Sequence, residues 1–516
     1  MTTVGGVTFT NHGLVGVGRI EASSIDAWGE SLGSVSGLQV TGWSNQGGGS
    51  YAGRFNILPD RGYNGATFSN YAARIQAVDF TFTPYTGSNT SGVAQNQFNL
   101  TYNAAASTRF TYNNGSDQVL TTGLIPDTST TLGGRSVPFV TLSNGAATNT
   151  TVGGTAINRI AVDAEALVLR PDGSGWVSDE YGANVYHVNA AKQITGVLGQ
   201  PAAITPRTTG GELAFSSEVT PATGRRGNQG MEGLALSPNG EKLYGMMQSA
   251  TVQDSGTGNQ GRFNTRLLVW DVASESAPGA ISSEYVIQLP IGNETGSGSP
   301  TRNFAQSEIV VLDDTHLLVL SRDGSGKGTS SGNAPVFKDV LLVDLTGATN
   351  IAGTPFDAQT GDITPGAASS TTLPASITPL AYGEAVNLLN TFQLGKFDLN
   401  LNPGNSANEN SISEKWEGLS LVPTGTANEY FLFVANDNDF ISGATKMVGL
   451  DGSTINTFDV LTDNSLPVEN DTMFLAYRVS ITGLTSAIPE PASYAAILGL
   501  GALGLTATQR RRRAGR

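Results

Sequence analysis

Five stretches of this chain share one plan: a strand, a tight polar turn, and a returning strand whose far ends carry acids, amides or an arginine. The clearest runs Asp163-Ala164-Glu165-Ala166-Leu167-Val168-Leu169-Arg170, turns at Pro171-Asp172-Gly173-Ser174 and returns as Gly175-Trp176-Val177-Ser178-Asp179-Glu180-Tyr181-Gly182. Alternating apolar residues mark both arms as strands, and the turn residues fix the fold-back. A centre at Asp172 and Gly173 sets Glu165 opposite Glu180. The plan recurs from Glu232-Gly233-Leu234 to Met246-Met247-Gln248, from Ser307-Glu308-Ile309 to Ser321-Arg322-Asp323, and from Trp416-Glu417-Gly418 to Asn436-Asp437-Asn438-Asp439. The earliest copy runs from Ser36-Gly37-Leu38 to Pro59-Asp60-Arg61-Gly62. The same arithmetic places Glu232 near Gln248 and Glu308 against Arg322.

Further strands follow several hairpins, among them Asn184–Val188, Arg266–Val272, Asp339–Leu345 and Met473–Val479. A hairpin with added strands is a propeller blade. The glutamates at 165, 232, 308 and 417 are spaced by 67, 76 and 109 residues, longer than the roughly 40–50 of common blade repeats, which implies long inserted loops. Residues 63–160, with Ala77–Phe82, leave room for another blade. The expected fold is all-β, a β-propeller of six or seven blades with a short C-terminal hydrophobic helix; an open β-sandwich is the alternative. In a propeller, equivalent hairpin ends meet at one mouth of the central channel. That would gather Asp60, Arg61, Glu165, Asp179, Glu180, Glu232, Glu308, Arg322, Asp323, Glu417, Asn436 and Asp437.

Carboxylates crowded at a mouth raise one another's pKa unless a hard cation neutralises them, and six to eight oxygens in one place describe a calcium site. The expected ligands are Glu165, Asp179, Glu180, Glu232, Glu308, Glu417 and Asp437. A bound cation would polarise a phosphoryl oxygen and acidify a water while Arg61 or Arg322 grips a second oxygen, so Asp60, Arg61, Glu180, Glu232 and Arg322 are the expected catalytic groups. The plainer role for the same residues is mutual pairing that seals the channel.

The last thirty residues are of another kind. Ile488-Pro489-Glu490-Pro491 precedes an uncharged run of 17 residues, Ala492 to Thr508, and then Arg510-Arg511-Arg512-Arg513. As a helix that run spans about 25 Å, slightly short of a bilayer core, and the arginines would hold its end in the cytoplasm with the body outside. Box, span and basic end in this order resemble the PEP-CTERM sorting signal. The resemblance implies export, transient anchoring in the inner membrane, cleavage near the box by an exosortase-type membrane protease, and delivery to the envelope, outer surface or extracellular matrix. A plain membrane anchor is the alternative. The opening residues, Met1-Thr2-Thr3-Val4-Gly5, have neither the basic start nor the apolar core of a signal peptide, so the start reads as truncated. The expected division is 1–29 lead-in strand, 30–484 propeller and 485–516 sorting signal.

Asp60-Arg61-Gly62, Glu165 with Ser178-Asp179-Glu180-Tyr181-Gly182, Asn228-Gln229-Gly230-Met231-Glu232-Gly233-Leu234, Glu308 with Arg322-Asp323, and Trp416-Glu417-Gly418 with Asn436–Asp439 together resemble the "esterase-like activity of phytase" family, over roughly residues 30 to 480. The resemblance implies a β-propeller with phosphoester or ester hydrolase activity. The loops Thr86–Gln97 and Ser143–Gly154 are longer than such a domain needs and are expected to cover or remodel the mouth.

Other chemistries fail. There is no cysteine, which removes thiolate nucleophiles, disulfides and iron–sulfur clusters. Gly328-Thr329-Ser330-Ser331-Gly332 has the spacing of a nucleophile elbow but lies in a glycine-serine loop, and Ser325–Thr329 lacks the pattern of a phosphate loop. The three histidines, His12, His187 and His316, form no metal-binding or acid-phosphatase motif. Lys plus Arg number 28 against 43 Asp plus Glu, a net charge of −15, which repels nucleic acid and favours divalent cations or basic partners. Two functions stand: an exported phytase-like, metal-dependent phosphoesterase or esterase, and a non-enzymatic matrix or surface protein that binds polysaccharide or protein and holds only structural calcium.

Overall fold

Runs such as Leu317-Leu318-Val319-Leu320 are buried at every residue, inward and outward faces alike. A strand of that kind needs a layer packed on each side, and radially stacked sheets supply it. The computed structural model describes residues 1–63, 70–141, 157–255, 262–295, 300, 302–364 and 372–485. Among these are five sheets of four or more strands, each beginning with one of the five hairpins. Their first strands are Gly37–Gly47, Ala164–Leu169, Met231–Leu236, Ala305–Val311 and Lys415–Pro423. Each packs against the next in this order, and the fifth packs against the first, so they close a ring around a channel.

Five blades is fewer than the six or seven expected. Arg74–Phe82, which suggested an extra blade, is the third strand of the first sheet, pairing with Ser50–Leu58 on one side and Phe98–Tyr102 on the other. Thr111–Asn113 and Gln118–Leu120 widen the second sheet, and Thr128–Leu132, Arg135–Val140 and Arg159–Ile160 make a small separate sheet. The extra sequence between hairpins is spent on sheet edges and loops. Thr2–Val4 and Val7–Ile20 join the last sheet, the longer strand pairing with Thr472–Thr482 along its length. The two ends of the chain therefore close the ring by backbone hydrogen bonds. Trp43, Phe55, Phe80, Phe433 and Phe474 pack face and edge across the seam between last and first blades.

Every inner hairpin from the second blade onward is bulged near its open end. The register slips between Ala164 and Leu167, Met231 and Leu234, Gln306 and Glu308, and Trp416 and Gly418. Small residues at or beside these bulges allow the inner strands to approach closely. A Cβ on Gly418 would lie 2.6 Å from Val35 Cγ1, and one on Gly37 would lie 2.9 Å from the Glu165 carbonyl oxygen. The hairpin turns, with Pro171, Gly173 and Pro238, surround an apolar cavity of about 530 Å³ at one end of the channel, and the open hairpin ends surround a polar one at the other. Thr485, the last described residue before the tail, donates from its N–H and Oγ1 to Asp313 Oδ2 at 3.0 Å each, on the turn side. The run 492–508, expected to be a helix, lies outside the described residues. Among the described residues no helix is long and apolar enough to cross a membrane.

Candidate functional site

The bulges decide which side chains meet. In the second, third and fifth blades Glu165, Glu232 and Glu417 sit at the bulge itself, where the extra residue turns the side chain toward the polar mouth. The returning strand contributes the residue just beyond the last pair: Glu180 after Asp179, Gln248 after Met247, Asp437 opposite Lys415. With Asp60, Arg61, Asp163, Arg322, Lys415 and Asp439 these groups line one cavity of about 380 Å³. Eight residues expected from sequence are therefore brought together: Asp60, Arg61, Glu165, Glu180, Glu232, Arg322, Glu417 and Asp437.

Two expected ligands are elsewhere. Glu308 does not meet Arg322; it pairs with Leu320, and Arg322 pairs with Ala305. The fourth hairpin carries its bulge at Ser307, so Ser307 stands where Glu417 does and Glu308 takes the place of Gly418. The Glu308 carboxylate accepts from Leu234 N–H at 3.0 Å and Ile309 N–H at 2.9 Å and lines the apolar cavity instead. Asp179 is paired with Ala164 and turned into the backbone, where it accepts from the N–H groups of Asp163 at 3.0 Å and Gly182 at 3.0 Å. Glu165 and Glu180 are likewise not a cross-strand pair, because the bulge intervenes.

Asp323 and Asn436 also serve the frame. Asp323 accepts from Phe337 N–H and forms a fully buried ion pair with Lys338 Nζ at 2.7 Å, and Lys338 Nζ in turn donates to the Glu414 carbonyl at 2.6 Å. Asn436 bridges to Met473 N–H and the Asp471 carbonyl. The loop Thr86–Gln97 lies against Lys396–Asp398 rather than at the mouth. The other long loop, Ser143–Gly154, falls outside the described residues.

Sequence reasoning did not single out Asp163, Lys415 or Asp439 for the mouth. Asp163 and Asp439 stood inside quoted motifs, and an acid two residues before Glu165 or two after Asp437 was the available signal. Nothing in the sequence marked Lys415. Its Nζ lies 2.5 Å from Asp439 Oδ1 and 3.5 Å from Asp437 Oδ2. Arg61 Nη1 donates to Ser217 Oγ at 2.7 Å and lies 3.4 Å from Asp163 Oδ2. Arg322 pairs with Glu417, and Gln248 donates to Glu232. Glu165 and Glu180, 7% and 3% exposed, accept no hydrogen bond from any described residue.

Burial and like charge act together here. Burial, then the charge of Asp163, raises the Asp60 carboxyl to about 7 and the Glu180 carboxyl to about 8. Burial with neighbouring acids also raises Glu165, Glu232 and Asp437 well above the usual carboxylate range. Asp439 is held low despite burial, because Lys415 sits against it. Asn228, Asp439 and Phe440, all at this mouth, have φ of 49°, 50° and 55°, conformations that non-glycine residues keep only where the surroundings impose them. Three-oxygen groups suited to a cation occur twice, in Asp60, Asp437 and Asp439 and in Asp163, Glu165 and Glu180, with ligand atoms within 4.8 Å of one another in each. The Asp163 Oδ2 atom is buried with no hydrogen-bond partner among the described residues. Such a donor set fits a hard divalent ion.

Gly230 backs Glu180 so closely that an added Cβ would lie 2.2 Å from the Glu180 carbonyl oxygen. Gly230→Ala is expected to cost about 1–3 kcal/mol and to displace Glu180, measurable by denaturant unfolding. Unchanged stability would mean that the two strands separate there more easily than described.

Residues 31–440 match the family model described as esterase-like activity of phytase, and residues 487–513 match the PEP-CTERM protein-sorting motif. A relative described as an uncharacterized secreted protein of Arthroderma benhamiae is 30% identical over 472 residues, covering 86% of this chain and 89% of the relative. Among solved structures, the chain is similar to regucalcin, a calcium-binding protein of Agrobacterium tumefaciens, at 11% identity and a TM-score of 0.27, covering 87% of this chain and 94% of that one. It is similar also to the PQQ-bound aldose sugar dehydrogenase of Streptomyces coelicolor, at 10% identity and a TM-score of 0.27, covering 92% and 98%. Likenesses at that level carry no argument about chemistry. The sorting motif makes this an exported protein of the envelope or outer surface. By the match over most of its propeller, the chain belongs to the family described as esterase-like activity of phytase.

Proposed function

We propose that this exported propeller hydrolyses phosphoesters at its polar mouth with the help of calcium. The observation that carries the reading is a buried cavity in which Glu165 and Glu180 have no partner while Arg61 stands at the same wall. The ion would be held by Asp163, Glu165 and Glu180, with Glu232 beside them, and when bound it supplies a polarised phosphoryl oxygen and a more acidic water. Arg61 binds and orients a second phosphoryl oxygen from a guanidinium fixed by Ser217. Glu180, with its carboxyl near 8, is suited to take a proton from the attacking water close to neutral pH. Asp60 lies across the cavity with a carboxyl near 7, suited to give a proton to the leaving oxygen.

The test is hydrolysis of an aryl phosphate, phytate and a simple aryl ester with calcium and with a chelator. Glu180→Gln is expected to abolish turnover, by a factor of about 10²–10⁴ for a lost general base, with the folded state intact. Activity unaffected by Glu180→Gln and by the chelator would end the hydrolase reading.

One observation favours a second reading. Arg322 is already tied to Glu417, and Lys415 to Asp437 and Asp439, as in a mouth built to hold itself together around a structural ion. The protein would then be a matrix or surface component that binds polysaccharide or another protein without catalysis. In either reading an exosortase-type protease cuts near Pro489-Glu490-Pro491. Thr485 is fixed on the turn side, so the polar mouth would face away from the membrane while the tail is anchored. Mass spectrometry of the mature protein should show a C-terminus close to Pro491; an intact Arg510–Arg513 end would contradict processing.

A further inference from the structure

The two three-carboxylate groups at the mouth differ in what already stands among their oxygens. In the group of Asp60, Asp437 and Asp439, Lys415 Nζ is 2.5 Å from one carboxylate and 3.5 Å from another. The shorter distance is that of a calcium–oxygen contact, roughly 2.3–2.6 Å. The ammonium therefore fills the space a metal ion would need. In the group of Asp163, Glu165 and Glu180 the cation at hand is Arg61, which reaches a single oxygen at 3.4 Å and already donates to Ser217. These three side chains are 2%, 7% and 3% exposed. Glu165 and Glu180 accept no hydrogen bond from a described residue, and Asp163 Oδ2 is an orphaned buried oxygen. Buried charges left in that state are costly unless an ion completes them.

We infer that the mouth takes a single divalent cation, at Asp163, Glu165 and Glu180, and that Lys415 is a built-in cation filling the matching place among Asp60, Asp437 and Asp439. The inference rests on the cation reading above and sharpens it. A bound ion and the Lys415 ammonium would flank the same cavity, one on each carboxylate group, an arrangement suited to a doubly charged phosphoryl group and less to a neutral ester. It resembles a two-metal clamp in which one metal has been replaced by a tethered ammonium. It also accounts for Lys415 remaining charged at a fully buried position: burial disfavours the charge, but Asp439 and Asp437 outweigh that and raise its pKa well above the ordinary value.

The experiment is a calorimetric titration of the purified protein with calcium chloride at pH 8, repeated on three variants. The wild type is expected to bind one calcium. Lys415→Gln opens the second group and should bind two. Glu165→Gln with Glu180→Gln should lose the single site, by at least tenfold in affinity, whereas Asp437→Asn with Asp439→Asn should keep it. If Lys415→Gln does not fold, the two double variants still decide where the ion sits. One calcium in folded Lys415→Gln, two in the wild type, or a site that survives loss of Glu165 and Glu180 but not of Asp437 and Asp439, would each overturn the inference. No calcium bound by the wild type would instead remove the cation reading on which it stands.

Discussion

Lys338→Met is expected to destabilise the protein by about 3–5 kcal/mol, because it leaves Asp323 charged and buried with no cation. Lys338 Nζ touches Asp323 Oδ1 at 2.7 Å and the carbonyls of Asp323 and Glu414, with neither ion-pair partner reachable by solvent. The pair joins the end of the fourth inner hairpin to the residue preceding Lys415, so it braces the mouth without lining it. Removing both charges together, Lys338→Met with Asp323→Asn, keeps an acceptor for the Phe337 N–H and should cost much less than Lys338→Met alone. A double-mutant cycle by denaturant unfolding reads the difference. Equal losses in the single and double variants would show that Lys338 acts by packing and not as a counterion.

Calcium at a hundredfold excess over its dissociation constant should raise stability by about 2.7 kcal/mol, the mass-action gain of a ligand that binds only the folded state. The pH dependence follows from the same acids. Asp60 near 7 and Glu180 near 8 bind protons more tightly in the folded than in the unfolded protein, where carboxyls titrate near 4. Between those values the folded state holds more protons, so stability falls as pH rises. The contribution is complete below about pH 4 and is lost as pH passes through 7 and 8. Without calcium, thermal unfolding should therefore be easier at pH 9 than at pH 6. With calcium, which needs the ionised carboxylates, most of that loss should disappear. Glu180→Gln with Glu232→Gln should make the calcium-free protein more stable at pH 9 and shrink the calcium response. A midpoint that ignores pH, calcium and chelator alike would contradict this account.

The hairpins and their mouth could be read from sequence because both rest on local signals. Apolar alternation and turn residues such as Pro171-Asp172-Gly173 mark the hairpins, and each copy carries its acids at the same end. The register could not be read as well. A bulge adds one residue without changing composition, so Glu308 looked equivalent to Glu417 although Ser307 holds that place. Asp179 and Glu180 are neighbours with opposite fates, one turned to backbone N–H groups and one to the cavity, and alternation alone did not say which. Blade number was overcounted because the third strand Arg74–Phe82 looks from sequence like the start of a new hairpin. Lys415 was missed because it follows a motif defined by its glutamate, and its partners Asp437 and Asp439 are brought to it only by the pairing of Lys415 with Asp437.

The central claim is that the carboxylates of the mouth bind a divalent cation, and diffraction from calcium-soaked crystals, with the anomalous signal of the ion, tests it most directly. The account predicts one anomalous peak within about 2.3–2.6 Å of oxygens from Asp163, Glu165 and Glu180. A mouth without any peak, its acids closed on Arg61, Arg322 and Lys415, would contradict it.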